Sequence, residues 1–230
     1  LSDQAASVID DRLRRRAGVH AALGEPVRLA IVDDLAVSDR SPTELSARHG
    51  LPTNLLAHHL DVLEAAGVIV RFSSAGDGRR KYVRLDRPSL EGLGIGGGAR
   101  LRPALFVCTH NSARSQLASA LWVERTGGAA SSAGTHPAAD VHRGARAAAR
   151  RAGLDLGDAR PAALGRIARG TQVITVCDRA HEELEPGDDW WHWSIPDPIE
   201  IGTAAAFDAV VAELEDRIRT LANQRQEDSP

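Results

Sequence analysis

Two cysteines in 230 residues are too few for a disulfide scaffold, and a chain of this length builds its core without covalent staples. They read as thiols kept reduced in the cytoplasm, either reactive or buried as inert core residues. Long apolar runs are also missing. The longest, such as Val173–Cys177, fall far short of the roughly 20 residues of a membrane span, so neither a transmembrane nor a secretory segment is expected. No excess of one charge marks the chain, because 28 basic and 31 acidic side chains leave a net of −3; that excludes a polycation coating nucleic acid without specificity. Methionine is absent, so the first residue need not be the native start. What is present is ordinary for a globular protein, with 43% hydrophobic and 26% charged residues. The length suits one large domain or two small ones.

The sequence divides at Glu91-Gly-Leu-Gly-Ile-Gly-Gly-Gly-Ala-Arg100, where glycine costs too much backbone entropy for a helix or strand and offers nothing to a core. This predicts a first domain over residues 1–88, a Gly-rich linker over 89–102 and a second domain over 103–230. The part before Pro88 carries 13 basic and 12 acidic residues, the remainder 15 and 19. The halves therefore differ mildly in sign. No internal repeat is visible, and the polar tail Asn223–Pro230 is expected to fray. Arg greatly outnumbers Lys and Ala is abundant, which we assign to codon composition.

In the first half, Ser41-Pro-Thr-Glu44 is a compact helix start, with Ser41 as cap, Pro42 at the first helical position and Glu44 reaching back. Gly50 stops that helix. A second begins near Pro52-Thr53, places Leu56, Leu60 and Leu63 on one face and ends at Gly67. Two short helices joined by a tight turn predict a helix-turn-helix. The apolar stretches Val68–Phe72 and Tyr82–Leu85 then bracket a polar turn, which predicts a hairpin whose tip carries Arg79, Arg80 and Lys81. Together with Leu23–Ala30 and His59–Gly67, these pieces resemble the ArsR-type winged-helix repressors over about residues 8–88. The resemblance implies that Thr53, Asn54, Ala57 and His58 enter a major groove while Arg79, Arg80 and Lys81 grip phosphate of a double-stranded operator. It also implies a homodimer. This half has no cysteine, so it cannot sense arsenite through thiolates of its own.

The second half opens with the apolar strand Leu105–Cys108, then Cys108-Thr-His-Asn-Ser-Ala-Arg-Ser115, then helical spacing over Ser115–Arg125 through Leu117, Leu121 and Trp122. A strand–loop–helix of this kind points backbone N–H groups and the positive helix end at one spot, which fits a tetrahedral oxyanion such as phosphate, sulfate or arsenate. Thr109, His110, Asn111, Ser112 and Ala113 form the cradle and Arg114 closes it with its fork. The same field favours thiolate at Cys108, to which the Ser115 hydroxyl can donate. No metal cluster and no tightly bound cofactor are expected.

Cys-x5-Arg-Ser with Ser131–Pro137, Val141-His142, Gly153–Leu156 and His192-Trp-Ser-Ile-Pro-Asp-Pro198 is similar to the low-molecular-weight tyrosine phosphatase superfamily, specifically its arsenate reductase branch, over most of Pro103–Leu221. The resemblance implies an α/β domain with a four-stranded parallel sheet, here Leu105–Cys108, Ala130–Ala133, Val173–Cys177 and Trp191–Ser194. It implies Asp197 as general acid and Cys177 as the cysteine attacking the arsenylated nucleophile; a buried, unreactive Cys177 is the competing reading. Ile199 follows Pro198, where phosphatases of the family carry an aromatic, and this favours a small inorganic anion, although Trp190, Trp191 and Trp193 supply aromatic surface. Leu184 and Ala113 stand where other reductases have cysteines. A small thiol such as mycothiol is therefore the expected reductant rather than thioredoxin.

The sequence thus predicts a two-domain protein, a winged helix-turn-helix followed by an α/β arsenate reductase. The alternatives are a phosphatase acting on phosphoesters and a transcription factor whose second domain binds an oxyanion without turnover.

Overall fold

The computed structural model describes residues 10–90, 101–184 and 186–227. Residues 91–100, most of the expected linker, lie outside the described residues. Two compact units result: residues 10–72 with 81–90, and residues 73–80 with 101–227.

The first unit begins with four helices, α1 (Asp11–Leu23), α2 (Pro26–Val37), α3 (Pro42–His49) and α4 (Thr53–Ala65). Their starts have local chemical causes. The Asp10 carboxylate accepts from the Leu13 N–H at 2.6 Å, Glu25 accepts from the N–H groups of Val27 and Arg28, and Ser41 with Glu44 forms a reciprocal capping box ahead of Pro42. Gly50 then ends α3 with φ at 62°, a left-handed conformation that glycine adopts without steric cost. Leu56, Leu60 and Leu63 of α4 pack with Ile31, Leu35 and Leu45 into one buried cluster, each such side chain stabilising the fold by about 2 kcal/mol. The strands β1 (Ile69–Ser73) and β2 (Lys81–Leu85) form a two-stranded sheet, and Val68, Ile69 and Val83 close the cluster from that side. A 3-10 turn, Arg87–Leu90, follows.

The second unit is an α/β layer structure. In chain order it contains β3 (Ala104–Cys108), α5 (Arg114–Thr126), β4 (Ala130–Gly134), α6 (Arg143–Arg151), β5 (Gln172–Thr175), α7 (Asp178–Leu184), β6 (Trp191–His192), α8 (Pro198–Ile201) and α9 (Ala204–Glu227). Its four-stranded sheet has the order β4-β3-β5-β6 and every pairing is parallel. The chain crosses from β3 to β4 on one side and reaches β5 on the other. The connections therefore diverge at the carboxyl end of β3, where open α/β sheets leave a crevice for ligands. Behind it, Phe106 contacts Trp122 and Trp193 with centroids 5.7 Å apart in both pairs, and Leu214, Ile218 and Leu221 of α9 are buried.

Two strand expectations need correction at their ends. β5 stops at Thr175; Val176 makes one last bond to Val107 O at 2.7 Å, and Cys177 then leaves the ladder to meet the loop after β3. β6 stops at His192, since Trp193 turns into the core at 1% exposure and offers no aromatic surface to a substrate. The polar stretch from Asn223 is helical as far as Glu227, while residues 228–230 lie outside the described residues. Among the described residues, no helix is long and apolar enough to cross a membrane.

Candidate active site

The loop after β3 is held by its carbonyl groups. Cys108 O accepts from Thr135 N, Thr109 O from His136 N, His110 O from Ala138 N and Ser112 O from His142 N, and Asn111 O accepts from Gln116 Nε2. In a trans peptide the N–H points opposite to the carbonyl, so these bonds turn the N–H groups of residues 109–113 toward the concave side of the loop. The Asn111 N–H lies 3.2 Å from Cys108 Sγ. Asn111 itself has φ at 48°, an uncommon conformation that asparagine tolerates better than most residues. Its side chain is fully used: Nδ2 donates to Ser115 Oγ at 2.8 Å, and Oδ1 accepts from Ala162 N and from Gln116 Nε2. Ser115 Oγ in turn stands 3.1 Å from Cys108 Sγ.

Gly134 explains how β4 comes so close. A Cβ there would sit 2.7 Å from Thr109 O and 3.0 Å from Asn111 N, so only glycine lets this backbone back the loop.

Arg114 is buried at the first position of α5. Its Nη1 donates to Ile195 O at 3.0 Å and its Nη2 to Asp197 Oδ2 at 2.5 Å. The other Asp197 oxygen caps α8 by accepting from Ile199 N at 2.9 Å. The fork expected to close on an anion is thus joined to the expected acid, 83 residues further along.

Cys177 reaches the same place from β5. Its Sγ lies 3.2 Å from Thr109 Oγ1, on the residue next to Cys108, and accepts from Ala180 N at 3.3 Å. Both cysteines are free and buried. Burial pushes the Cys177 thiol up from its ordinary pKa, against the opposing pull of Arg114.

Sequence reasoning missed the polar cluster beneath Cys177. Thr175 Oγ1 lies 2.8 Å from His181 Nδ1 and 2.9 Å from His192 Nδ1, the two imidazoles stack at 4.0 Å, and His192 Nε2 lies 3.0 Å from Asp178 Oδ1. Burial raises the Asp178 pKa, but the bond and charge of His192, the Ser194 hydroxyl and the Ala75 N–H outweigh it and hold the carboxyl below its usual range. The available signals were the His192-Trp193 pair and the acid directly after Cys177.

The remaining expected site residues lie elsewhere. Thr53, Asn54, Ala57 and His58 are exposed on the opening turns of α4, beside Leu55 at 42% exposure. His59, in contrast, is buried 3.6 Å from Glu25. Arg79, Arg80 and Lys81 are exposed between and at the start of the paired strands. Among the described residues, no group of three or more His, Cys, Asp and Glu is arranged to hold a metal ion.

A family model described as low molecular weight phosphotyrosine protein phosphatase matches residues 104–230. Similar solved structures include the YwlE arginine phosphatase from Geobacillus stearothermophilus, 26% identical over 55% of this chain and 94% of that one, with a TM-score of 0.48. An arsenate reductase from Archaeoglobus fulgidus DSM 4304 is 26% identical over 52% of this chain and 98% of its own, at a TM-score of 0.44. The low molecular weight protein tyrosine phosphatase from T. tengcongensis is 21% identical over 54% and 99%, at 0.47. No curated protein matches the chain.

Proposed function

Through residues 104–230 the chain belongs to the low molecular weight phosphotyrosine protein phosphatase family, and on that premise we propose that it is a DNA-binding regulator fused to a thiol-dependent arsenate reductase. The observation that carries the enzymatic half is the second sulfur. Ester hydrolysis in this loop needs one nucleophile, an arginine and an acid, whereas Cys177 Sγ sits 3.2 Å from the hydroxyl of the residue after Cys108. Two sulfurs at one oxyanion loop suit a two-electron reduction.

In the proposed reaction, arsenate lies against the N–H groups of residues 109–113 and draws the Arg114 fork onto its oxygens. The Cys108 thiolate forms an S–As bond while one As–O bond breaks, and Asp197 protonates the departing oxygen as water. Cys177, or an external thiol, then attacks the Cys108 sulfur. The S–S bond forms, the S–As bond breaks, and its electron pair stays on arsenic, which leaves as arsenite. Two thiols are oxidised to one disulfide, As(V) is reduced to As(III), and one water is formed. Ser115 and Asn111 hold the Cys108 sulfur throughout. The reductant that restores the thiols is a small one such as mycothiol, because Leu184 closes α7 where a third cysteine would carry the oxidation outward.

The regulatory half rests on the helix pair α3 and α4, on the exposure of Thr53, Asn54, Ala57 and His58, and on the basic hairpin. In this reading residues 1–88 form a winged-helix module, 89–102 a linker and 103–230 the enzyme. The module pairs as a homodimer on a palindromic operator, in the cytoplasm, where thiols stay reduced.

Hydrolysis of a phosphoester is the second reading, in which Asp197, 2.5 Å from Arg114 Nη2, serves as the acid for an ester oxygen. One assay separates the two: full-length protein is given arsenate with a small thiol, arsenate with thioredoxin, and separately a chromogenic phosphate ester. Arsenite release with the small thiol supports the reductase. Ester turnover without arsenite supports the phosphatase.

A further inference from the structure

The hairpin between β1 and β2 has a tip, residues 73–80, that belongs to the second unit rather than the first. It is held there by acceptors on α7. Ser74 Oγ donates to Glu182 Oε1 at 2.7 Å, the Ala75 N–H to Asp178 Oδ2 at 2.7 Å and the Asp77 N–H to Glu182 Oε2 at 2.8 Å. Ser74 is buried there. The fit is tight at Gly76, where a Cβ would stand 3.0 Å from Arg179 N and 3.1 Å from Arg179 Cα. Those are backbone atoms, which cannot swing aside. Gly76 has no left-handed φ, so what requires glycine here is proximity to α7 and not the turn.

The chemistry of these partners is specific. A hydroxyl and two backbone N–H groups converging on carboxylate oxygens are the set that would otherwise take the oxygens of a phosphate diester. Arg79 and Arg80 lie exposed on the same short segment, with Lys81 following. The tip therefore carries both the long-range attraction for a duplex and the short-range donors that would seat one of its phosphates, and those donors are taken by anions of the chain itself.

We infer that Asp178 and Glu182 are an internal phosphate mimic: their carboxylates hold the Ser74 hydroxyl and the Ala75 and Asp77 N–H groups that grip a DNA phosphate, so that docking of the tip on α7 and binding of a duplex exclude one another. The inference rests on the proposed DNA-binding role of residues 1–88. It also supplies that role with a control, since competition for shared donors is reciprocal. Asp178 follows Cys177 directly, so the control touches the turn that bears the second sulfur.

The test uses the full chain, a fluorescein-labelled mixed-sequence DNA duplex at low salt, and amide exchange read residue by residue. Gly76→Ala is the main variant, because it changes no charge and removes no donor while its methyl group would press on Glu182 Oε2 at 2.6 Å and on the Arg179 backbone at 3.0 and 3.1 Å. Glu182→Ala removes two of the three acceptor oxygens, and Glu183→Ala deletes the same charge from the same helix without touching the tip. The Ala75 and Asp77 amides should exchange slowly in the native protein and fast in Gly76→Ala and Glu182→Ala. Both variants should bind the duplex about tenfold more tightly, the equivalent of one to two freed hydrogen bonds. Glu183→Ala should change affinity by much less.

Unchanged or weaker duplex binding with freed amides would overturn the mimic and leave the DNA-binding role standing. Fast exchange of both amides in the native protein, or slow exchange surviving both variants, would overturn the docking itself. No duplex binding by any form, the freed tip included, would overturn the DNA-binding role and the inference together.

Discussion

The loop at 108–115 and the hairpin tip at 73–80 are both short turns leaving a strand, and both aim backbone N–H groups at a side chain, Cys108 Sγ in the loop and two carboxylates at the tip, yet they are built on opposite principles. In the loop, the carbonyl of every residue from Cys108 to Ser112 is occupied, and Asn111, Gln116 and Ser115 are buried and tied to one another. Its shape is maintained within its own unit, so the donors stay aimed when no anion is bound. The tip keeps one turn of its own, with Ser74 N donating to Arg80 O and Arg80 N to Asp77 O. Its outward donors depend on two borrowed carboxylates. A preorganised cradle suits chemistry, where donors must already point at developing charge. A borrowed one suits a switch, because its partners can be exchanged.

The largest expected effects fall on the loop. Cys108→Ser should abolish arsenite formation while keeping the rise in melting temperature that arsenate or phosphate confers by mass action, and Arg114→Ala should remove that rise as well. Arsenite formation by Cys108→Ser would break the proposed chemistry. Next comes Asn111→Ala, which removes one of the partners of Ser115 Oγ and the acceptor of the Ala162 N–H. A cost of about 2–3 kcal/mol is expected, measured by denaturant unfolding and accompanied by loss of turnover. If stability and turnover were both unaffected, the loop would not be self-supporting.

The tip should respond through charge. Replacing Arg79 and Arg80 by Ala should flatten the dependence of log affinity on log salt by about one unit for each phosphate no longer neutralised, with little change in melting temperature. A salt-independent affinity would exclude the duplex as a ligand of the tip. Asp178 connects the two regions and has a pH signature. Its folded-state pKa lies below the ordinary value, so its carboxylate adds stability that is fully present above about pH 4 and is lost as the pH falls through the folded value. The melting temperature of Asp178→Asn should therefore trail the native protein at neutral pH, and the gap should close in acid. A gap of constant size down to low pH would mean that the carboxylate is not ionised in the fold. The smallest effect belongs to the first unit: Ser41→Ala removes one half of a capping box, a cost of about 1 kcal/mol, with no change in turnover.

Much of this molecule is set by neighbours in the chain and is legible for that reason. The box at Ser41 and Glu44 spans three residues, the face of Leu56, Leu60 and Leu63 follows from helical spacing, and Cys108 to Ser115 is one strand end, one loop and one helix start. The box and the helix face depend on interactions within about two helical turns, which local backbone geometry already dictates, whereas the loop is legible only as a motif and its shape is held by the distant N–H groups of Thr135, His136, Ala138 and His142. The departures lie where partners are distant. Hydrophobic patterning makes Cys177 the end of a strand; its sulfur meets Thr109, 68 residues away, only because β3 and β5 are adjacent in the sheet order. Trp193 stands among the candidate surface aromatics of the sequence, and packing against Phe106 and Arg217 places it in the core.

By itself the sequence determined the chemical inventory: two thiols, a Cys-x5-Arg-Ser loop, the Asp197-Pro198 pair, capped helices and a basic hairpin. Those are properties of residue type and short spacing. Only the tertiary structure decided which of them meet. Arg114 joins Asp197, Gly134 lets β4 back the loop, and the Ala75 N–H finds Asp178 at a separation of 103 residues. Contacts of that range are closed by the burial of the strands and helices between them, and no local preference of the chain encodes them.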